Sequence, residues 1–257
     1  MELSGELLAL LCGFAFLAGF IDAVVGGGGL IQIPALFVLL PGVQPATLLG
    51  TNKFASIWGT LSAAIQYLRR VPVERRAILP TTATALLFGY LGAGVAASIP
   101  ADAFRPLILL LSIGVLAYTL TKKDIGALHA PRLSPRRTFG TALLTGAAIG
   151  FYDGIFGPGT GSILVIAFVG LFGFSFLVAS ASAKLVNVVT NAAALAFFVG
   201  AGHVRYDIAL PMALFNVAGS LAGSHLAIRK GSVFVRRLFI AVVVLLILRY
   251  AWDLTGA

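Results

Sequence analysis

The sequence predicts an all-α polytopic membrane protein. It should comprise two inverted-topology repeats of about five hydrophobic segments each, with helices broken at glycine-rich stretches. Three observations carry this prediction. Of the 257 residues, 59% are hydrophobic and 11% are charged, against roughly 25% charged in soluble proteins. A break with an aspartate and several glycines occurs twice, at a constant offset. Finally, the strongly basic loop changes place between the two copies.

The first segment, residues 3–25, ends in Gly26, Gly27, Gly28 and Gly29, just after Asp22. Glu2 and Glu6 precede its apolar run where a cleaved signal would carry basic residues, so it reads as a first span. The second segment, residues 30–40, is too short to cross a bilayer alone and meets the Pro41-Gly42-Val43-Gln44-Pro45 turn. A third runs over 46–68 with Lys53 well inside it, and a fourth, rich in glycine, over 77–98. Between them lies the basic loop 69–76; the short loop 99–104 leads into a fifth segment, 105–121. Residues 122–137 form the longest polar stretch and read as a cytoplasmic linker between repeats at 1–121 and 138–257.

The second repeat follows at a shift of 131 residues without a gap. Gly19, Phe20, Asp22, Gly26 and Gly28 meet Gly150, Phe151, Asp153, Gly157 and Gly159. Lys53 meets Lys184, Pro80 meets Pro211, Gly92 meets Gly223 and Arg105 meets Arg236. A fixed offset linking breaks, lysines and a proline marks an internal duplication. Loop 69–76 holds four arginines, whereas its counterpart 200–207 sets Arg205 against Asp207. The next loop reverses this: 99–105 has Asp102 and Arg105, while the matching turn has Arg229, Lys230, Arg236 and Arg237. Under the positive-inside rule, equivalent loops then face opposite sides. Placing 69–76, 122–137 and 229–237 in the cytoplasm puts 13 of the 18 basic residues inside and both termini outside. Each half then makes an odd number of crossings, either five spans or three plus a re-entrant pair at the break.

Asp22, Lys53, Asp153 and Lys184 are the ionisable side chains set firmly inside apolar segments. A charge at the bilayer centre costs at least ~2.5–3.5 kcal/mol, so each needs a reason. Ser56 and Thr60 follow Lys53 at i+3 and i+7; Asn187 and Asn191 follow Lys184 likewise, giving each lysine a polar stripe. Thr51 and Asn52 flank the first; Ser180, Ser182 and Thr190 flank the second. Two readings are compatible. The lysines form buried ion pairs with Asp22 and Asp153, or they attract an anion that competes with those carboxylates. The plainer reading of the serines and threonines is helix–helix contact. At the breaks, Gly27, Gly28, Gly29, Gly159, Thr160 and Gly161 would expose helix N-termini, whose free N–H groups and dipole favour negative charge. Asn216 and His225 lack polar counterparts in the first copy, Ala85 and Gly94, and read as structural.

These residues resemble the sulfite exporter TauE/SafE family. The resemblance covers essentially the whole chain. It rests on the glycine-rich stretch 19–34 with its aspartate, the second copy at 150–162, Gly50-Thr51-Asn52-Lys53, and Ala183-Lys184-Leu185-Val186-Asn187. It implies a carrier, in most members an exporter, of sulfite, sulfonate or another organosulfur or organic anion in a bacterial or archaeal inner membrane. Pro158 and Thr160 stand where the first break has glycine, so the half-sites differ.

The leading expectation is therefore a secondary transporter of a small anion working by alternating access, with Lys53 and Lys184 attracting the anion. Asn52, Ser56, Asn187, Asn191 and the breaks would orient it. Asp22 and Asp153 would serve as proton carriers or as partners of the lysines, which leaves uniport and proton coupling open. An anion channel of the same fold is the alternative, and a membrane scaffold is a third reading. An intramembrane aspartyl protease using Asp22 and Asp153 is disfavoured, because nearby lysines hold both carboxylates ionised where a dyad needs one protonated. No His/Glu metal motif is present, Cys12 is the single cysteine, and no cofactor is called for. The partners expected are a small anionic substrate and the lipid bilayer, not nucleic acid; the sequence leaves a homodimer open.

Overall fold

The computed structural model describes residues 4–104, 107, 110, 114, 129–131 and 133–255, with only the backbone for 231–255. These residues form helices, with no strand among them. The bounded helices are α1 (Gly5–Val25), α2 (Gly29–Leu39), α3 (Pro45–Leu68), α4 (Arg75–Ser98), α5 (Pro135–Ile155), α6 (Thr160–Gly170), α7 (Phe176–Gly200) and α8 (Tyr206–Thr255). Helices α1, α4 and α7 are long and apolar enough to cross a membrane. The short helices α2 and α6 have 11 residues each, about 16 Å at 1.5 Å per residue, half a hydrocarbon core.

Local chemistry sets these bounds. The Ser4 hydroxyl accepts the Leu7 N–H at 3.2 Å to open α1. Gly26 closes it in the left-handed region (φ 81°), with its N–H on the Asp22 carbonyl. Prolines begin α3 and α5, where a missing N–H costs nothing. The repeat is visible in the elements: α2, α3 and α4 start at 29, 45 and 75, and α6, α7 and α8 start 131 residues later at 160, 176 and 206.

The halves are interleaved. Helix α4 lies along α5, and α1 lies along the first part of α8, which corresponds to α4. Glycines make both seams possible. A Cβ at Gly146 would strike the Thr81 carbonyl, and one at Gly154 the Gly89 carbonyl. Gly219 and Gly223 meet the Phe16 and Phe20 carbonyls in the same way. Both seams climb in step, so the paired helices run in one direction. Helix α3 runs opposite to its counterpart α7. Thr47 and Gly50 meet His203 at one end, while Thr60 and Lys184 share an Asp22 oxygen at the other.

The loops gather at two ends. At one, His129 Nε2 lies 3.9 Å from Glu74 and Ala130 N–H donates to Gly173, while Arg69 and Arg70 line a groove with Arg229. At the other, Phe37 and Phe156 pack on Phe104, and Arg205 N–H donates to Thr51 Oγ1 at 3.0 Å.

Two expectations are modified. The turn expected at 229–237 is absent: α8 continues through it as one helix of 50 residues, about 75 Å long. The first copy breaks at Ile99-Pro100, whereas the matching Lys230-Gly231 offers no proline to stop the ladder. Helix α5 begins at Pro135, inside the stretch expected to be linker. Most of the expected fifth segment at 105–121 and half of the linker at 122–137 lie outside the described residues, as do the side chains of Arg236 and Arg237.

Candidate functional site

The four intramembrane charges pair across the halves. Lys53 of α3 meets Asp153 of α5 at 2.7 Å, both side chains 2% exposed. Lys184 of α7 meets Asp22 of α1 at 2.8 Å. Each lysine thus takes the aspartate of the other copy. The Lys184 ammonium also donates to the Asp22 carbonyl. The Asp22 carboxylate is 14% exposed and accepts the Thr60 hydroxyl at 3.3 Å. In the low-dielectric interior such pairs need close approach and further hydrogen bonds; Asp22 has both, whereas the Asp153 carboxylate oxygen beside Lys53 has the close approach without a well-aligned hydrogen bond.

Between the pairs lies a polar cavity of about 30 Å³, room for about two water molecules. Its wall takes Asn52, Lys53, Ser56 and Thr60 from α3, and Asn187 and Asn191 from α7. The breaks supply Gly26, Gly28, Gly29, Gly157, Thr160 and Gly161, and Asp22 and Asp153 complete the charged rim. The i+3 and i+7 stripes on both lysine helices therefore converge on one space. Lys184, Gly27 and Gly159 of the expected set do not line it. The flanking hydroxyls serve structure: Thr51 Oγ1 donates to the Thr47 carbonyl, and Ser182 Oγ to the Val178 carbonyl.

The two breaks touch. Gly26, in the left-handed region, packs backbone to backbone on Gly161, leaving no space for a Cβ on either. Ser162 N–H donates to the Gly26 carbonyl at 2.9 Å and its hydroxyl to Val25 at 3.1 Å. Tyr152 holds the second break through its hydroxyl on the Pro158 carbonyl at 2.7 Å. This corrects one expectation: several N–H groups at the starts of the short helices are not free. Leu30 and Ile31 donate to Gly27 and Gly28, and Ser162 donates to the opposite break.

Two further polar side chains line the cavity beyond the expected set, Gln32 and Asn216. Asn216 Nδ2 donates to Gln32 Oε1 at 3.0 Å and to the Ala15 carbonyl at 3.1 Å. That bond fixes the Gln32 amide, leaving Nε2 as a buried donor with no protein partner among the described residues. Asn52 Oδ1 is likewise buried and unpartnered. Buried amide groups of this kind need a ligand or water. The available signal was a lone amide, Gln32, in the apolar run Leu30-Ile31-Gln32-Ile33. Asn216 was set aside for lacking a match in the first copy, yet it lines the cavity and orients Gln32.

Charged pairs held beside touching helix breaks, around one polar cavity in a chain with membrane-length helices, define a membrane transporter. The chain belongs to the sulfite exporter TauE/SafE family, whose model matches residues 11–250. It is 37% identical over 255 residues to the "Probable membrane transporter protein ORF9" of Sinorhizobium sp, covering 99% of this chain and 96% of the relative. It is 35% identical to the "Probable membrane transporter protein" of Haemophilus influenzae, with 98% of each chain covered. It is also 35% identical to the "Probable membrane transporter protein YfcA" of Escherichia coli K12, with 97% and 91% covered. No solved structure matches the chain. The family is one of transporters rather than enzymes.

Proposed function

We propose that this transporter carries a small anion, sulfite, a sulfonate or another organosulfur anion, by alternating access between two inverted repeats. The observation that carries the reading is the convergence of Lys53, Gln32 Nε2 and the two asparagine-bearing faces on one buried cavity between the halves. Lysine supplies charge and the amides supply directed neutral donors, as anion recognition requires. Opposite running of α3 and α7 and the exchanged ion pairs support the inverted relation.

The frame of two lysines and two aspartates is neutral overall. An anion gains attraction there by competing with Asp153 for Lys53, or when a carboxylate takes up a proton. The cavity has room for only about two waters, too little for a hydrated anion to pass, so on this reading the halves part for it to enter and leave. That is carrier behaviour, and a continuous pore would need far more space. The gathering of Arg69, Arg70, Arg76 and Arg229 around one end supports a cytoplasmic assignment for that end, and with it the start of α1 outside an inner membrane; because α8 runs on past Arg229 without a turn, the expectation that the C-terminus also lies outside loses its support. A negative interior then favours export of the anion.

Sulfite flux into proteoliposomes of the native protein, Lys53→Gln and Lys184→Gln, at matched insertion, tests the reading. Saturable flux with counterflow in the native protein, lost in Lys53→Gln, is expected. Unsaturating conductance would mark a channel instead. Undiminished flux in both variants would remove the anion from the lysine pair.

A further inference from the structure

A second basic feature lies away from the central cavity. The C-terminal end of α3 and the middle of α8 enclose a groove of about 620 Å³ lined by Gln66, Arg69, Arg70, Leu221, His225 and Arg229 among others. Among the described residues none of the three arginines there is paired with a carboxylate. Gln66 lines the groove, its Nε2 donating to the Leu221 carbonyl at 3.5 Å.

The duplication provides an internal control. In the other copy the corresponding positions are Phe197 for Gln66, Tyr90 for Leu221, Gly94 for His225, and Gly200, Ala201 and Ser98 for the three arginines. There the space is filled. The Phe197 ring stands edge-on to Tyr90 at 5.5 Å and lies against Gly94, where a Cβ would meet it at 3.4 Å. Among the described residues, the same helix crossing is thus packed shut in one half and left open, wide and cationic in the other. Packing the fold does not require the polar set. Side preference alone would require arginines, but not a histidine and an amide turned into an open groove between them.

We propose that this groove binds the phosphodiester headgroup of an anionic phospholipid. Three guanidiniums match phosphate oxygens in charge and geometry, and the volume falls in the range of small-molecule sites. A lipid, rather than a soluble phosphate, fits the surroundings. Ile65 and Leu68 of α3 and Leu221 of α8 are exposed beside the basic cluster, giving acyl chains an apolar track below the headgroup. Basic pockets between membrane helices at the cytoplasmic surface are of this chemical type. The inference is independent of what the central cavity carries.

The test imports the closed arrangement into the open half with Gln66→Phe/Leu221→Tyr/His225→Gly, leaving every arginine in place so that the topology signal is unchanged. The full-length protein, purified in detergent, is titrated with phosphatidylglycerol, phosphatidylcholine or inorganic phosphate while thermal stability and retained lipid by native mass spectrometry are followed. Phosphatidylglycerol should be retained and raise Tm where phosphatidylcholine does not, and the triple variant should lose about tenfold in apparent affinity. Anion transport in neutral-lipid vesicles should be unchanged in that variant. Arg69→Gln/Arg229→Gln, which leaves the helix seam untouched, should show the same loss and guards against misfolding of the triple variant. Equal retention of both lipids, undiminished retention in both variants, or full reproduction of the Tm shift by inorganic phosphate would overturn the proposal.

Discussion

The two ion pairs come from one duplicated plan but are not equivalent. Lys53 and Asp153 are both buried and both line the cavity; Lys184 lies outside its wall, and its partner Asp22, which lines it, is 14% exposed and held also by Thr60. The neutral lining diverges further: Gln32 and Asn216 face the cavity where the other copy has Ile163 and Ala85. What the halves share, charges and breaks, is what interleaving two copies around one centre demands. What they do not share is where a ligand with one orientation would be read. The helix starts show the same division. Helix α4 opens with Arg75 and Arg76, against its own dipole, whereas α8 opens with Asp207, in favour of it. Helix stability does not explain the arginines; the cytoplasmic side proposed for this end would.

The comparison can be broken most forcibly at the charges. Lys53→Gln or Asp153→Asn leaves a buried charge without its partner and should lower stability by ~3–5 kcal/mol, read as a fall in Tm in detergent. Lys184→Gln should cost less, because Asp22 keeps the Thr60 hydroxyl and contact with the cavity. Equal losses at the two lysines would mean that the pairs are equivalent after all.

At the neutral lining, Gln32→Ile gives the first copy the residue of the second. It removes a donor worth about 1.5–3 kcal/mol to a charged ligand, so the KM for anion flux should rise at least about tenfold with maximal flux retained. Ile163→Gln should leave KM unchanged. A reversal of these two results would place the reading face in the other half.

The smallest effect belongs to the surface. Arg205 holds the Asp207 carboxyl below its ordinary value, chiefly through a side-chain hydrogen bond. With a folded pKa below the unfolded one, the stabilisation is present above the ordinary carboxylate range and fades as pH falls through the lowered value. Both groups are well exposed, so Asp207→Asn should cost under about 1 kcal/mol at neutral pH and nothing in acid, in a Tm series against pH.

Much of this was legible in the sequence. The ends of α1 to α4 were marked by Gly26, the Pro41-to-Pro45 turn and loop 69–76, and the offset of 131 carried them into the second half. Charges in apolar sequence pointed to the centre because burial of a charge is costly whatever the fold. Which lysine meets which aspartate was not legible, since exchange between copies is a fact of tertiary packing. The N–H groups at the breaks were not legible as bonded, because Leu30 and Ile31 turn back onto their own break and Ser162 finds its acceptor on the opposite one. Symmetry, used as a filter, hid Asn216, and Gln32 is masked by the apolar run around it; these are residues that make the halves differ.

The most direct test of the central claim uses Lys53→Gln/Asp153→Asn, which removes the buried pair without stranding a charge. Its Tm and its saturable sulfite flux in proteoliposomes would be measured beside the native protein. The account predicts a Tm close to native, well above either single variant, with saturable flux lost. A stable double variant that still carries sulfite with native KM and maximal flux would contradict it and leave the pair a purely structural contact.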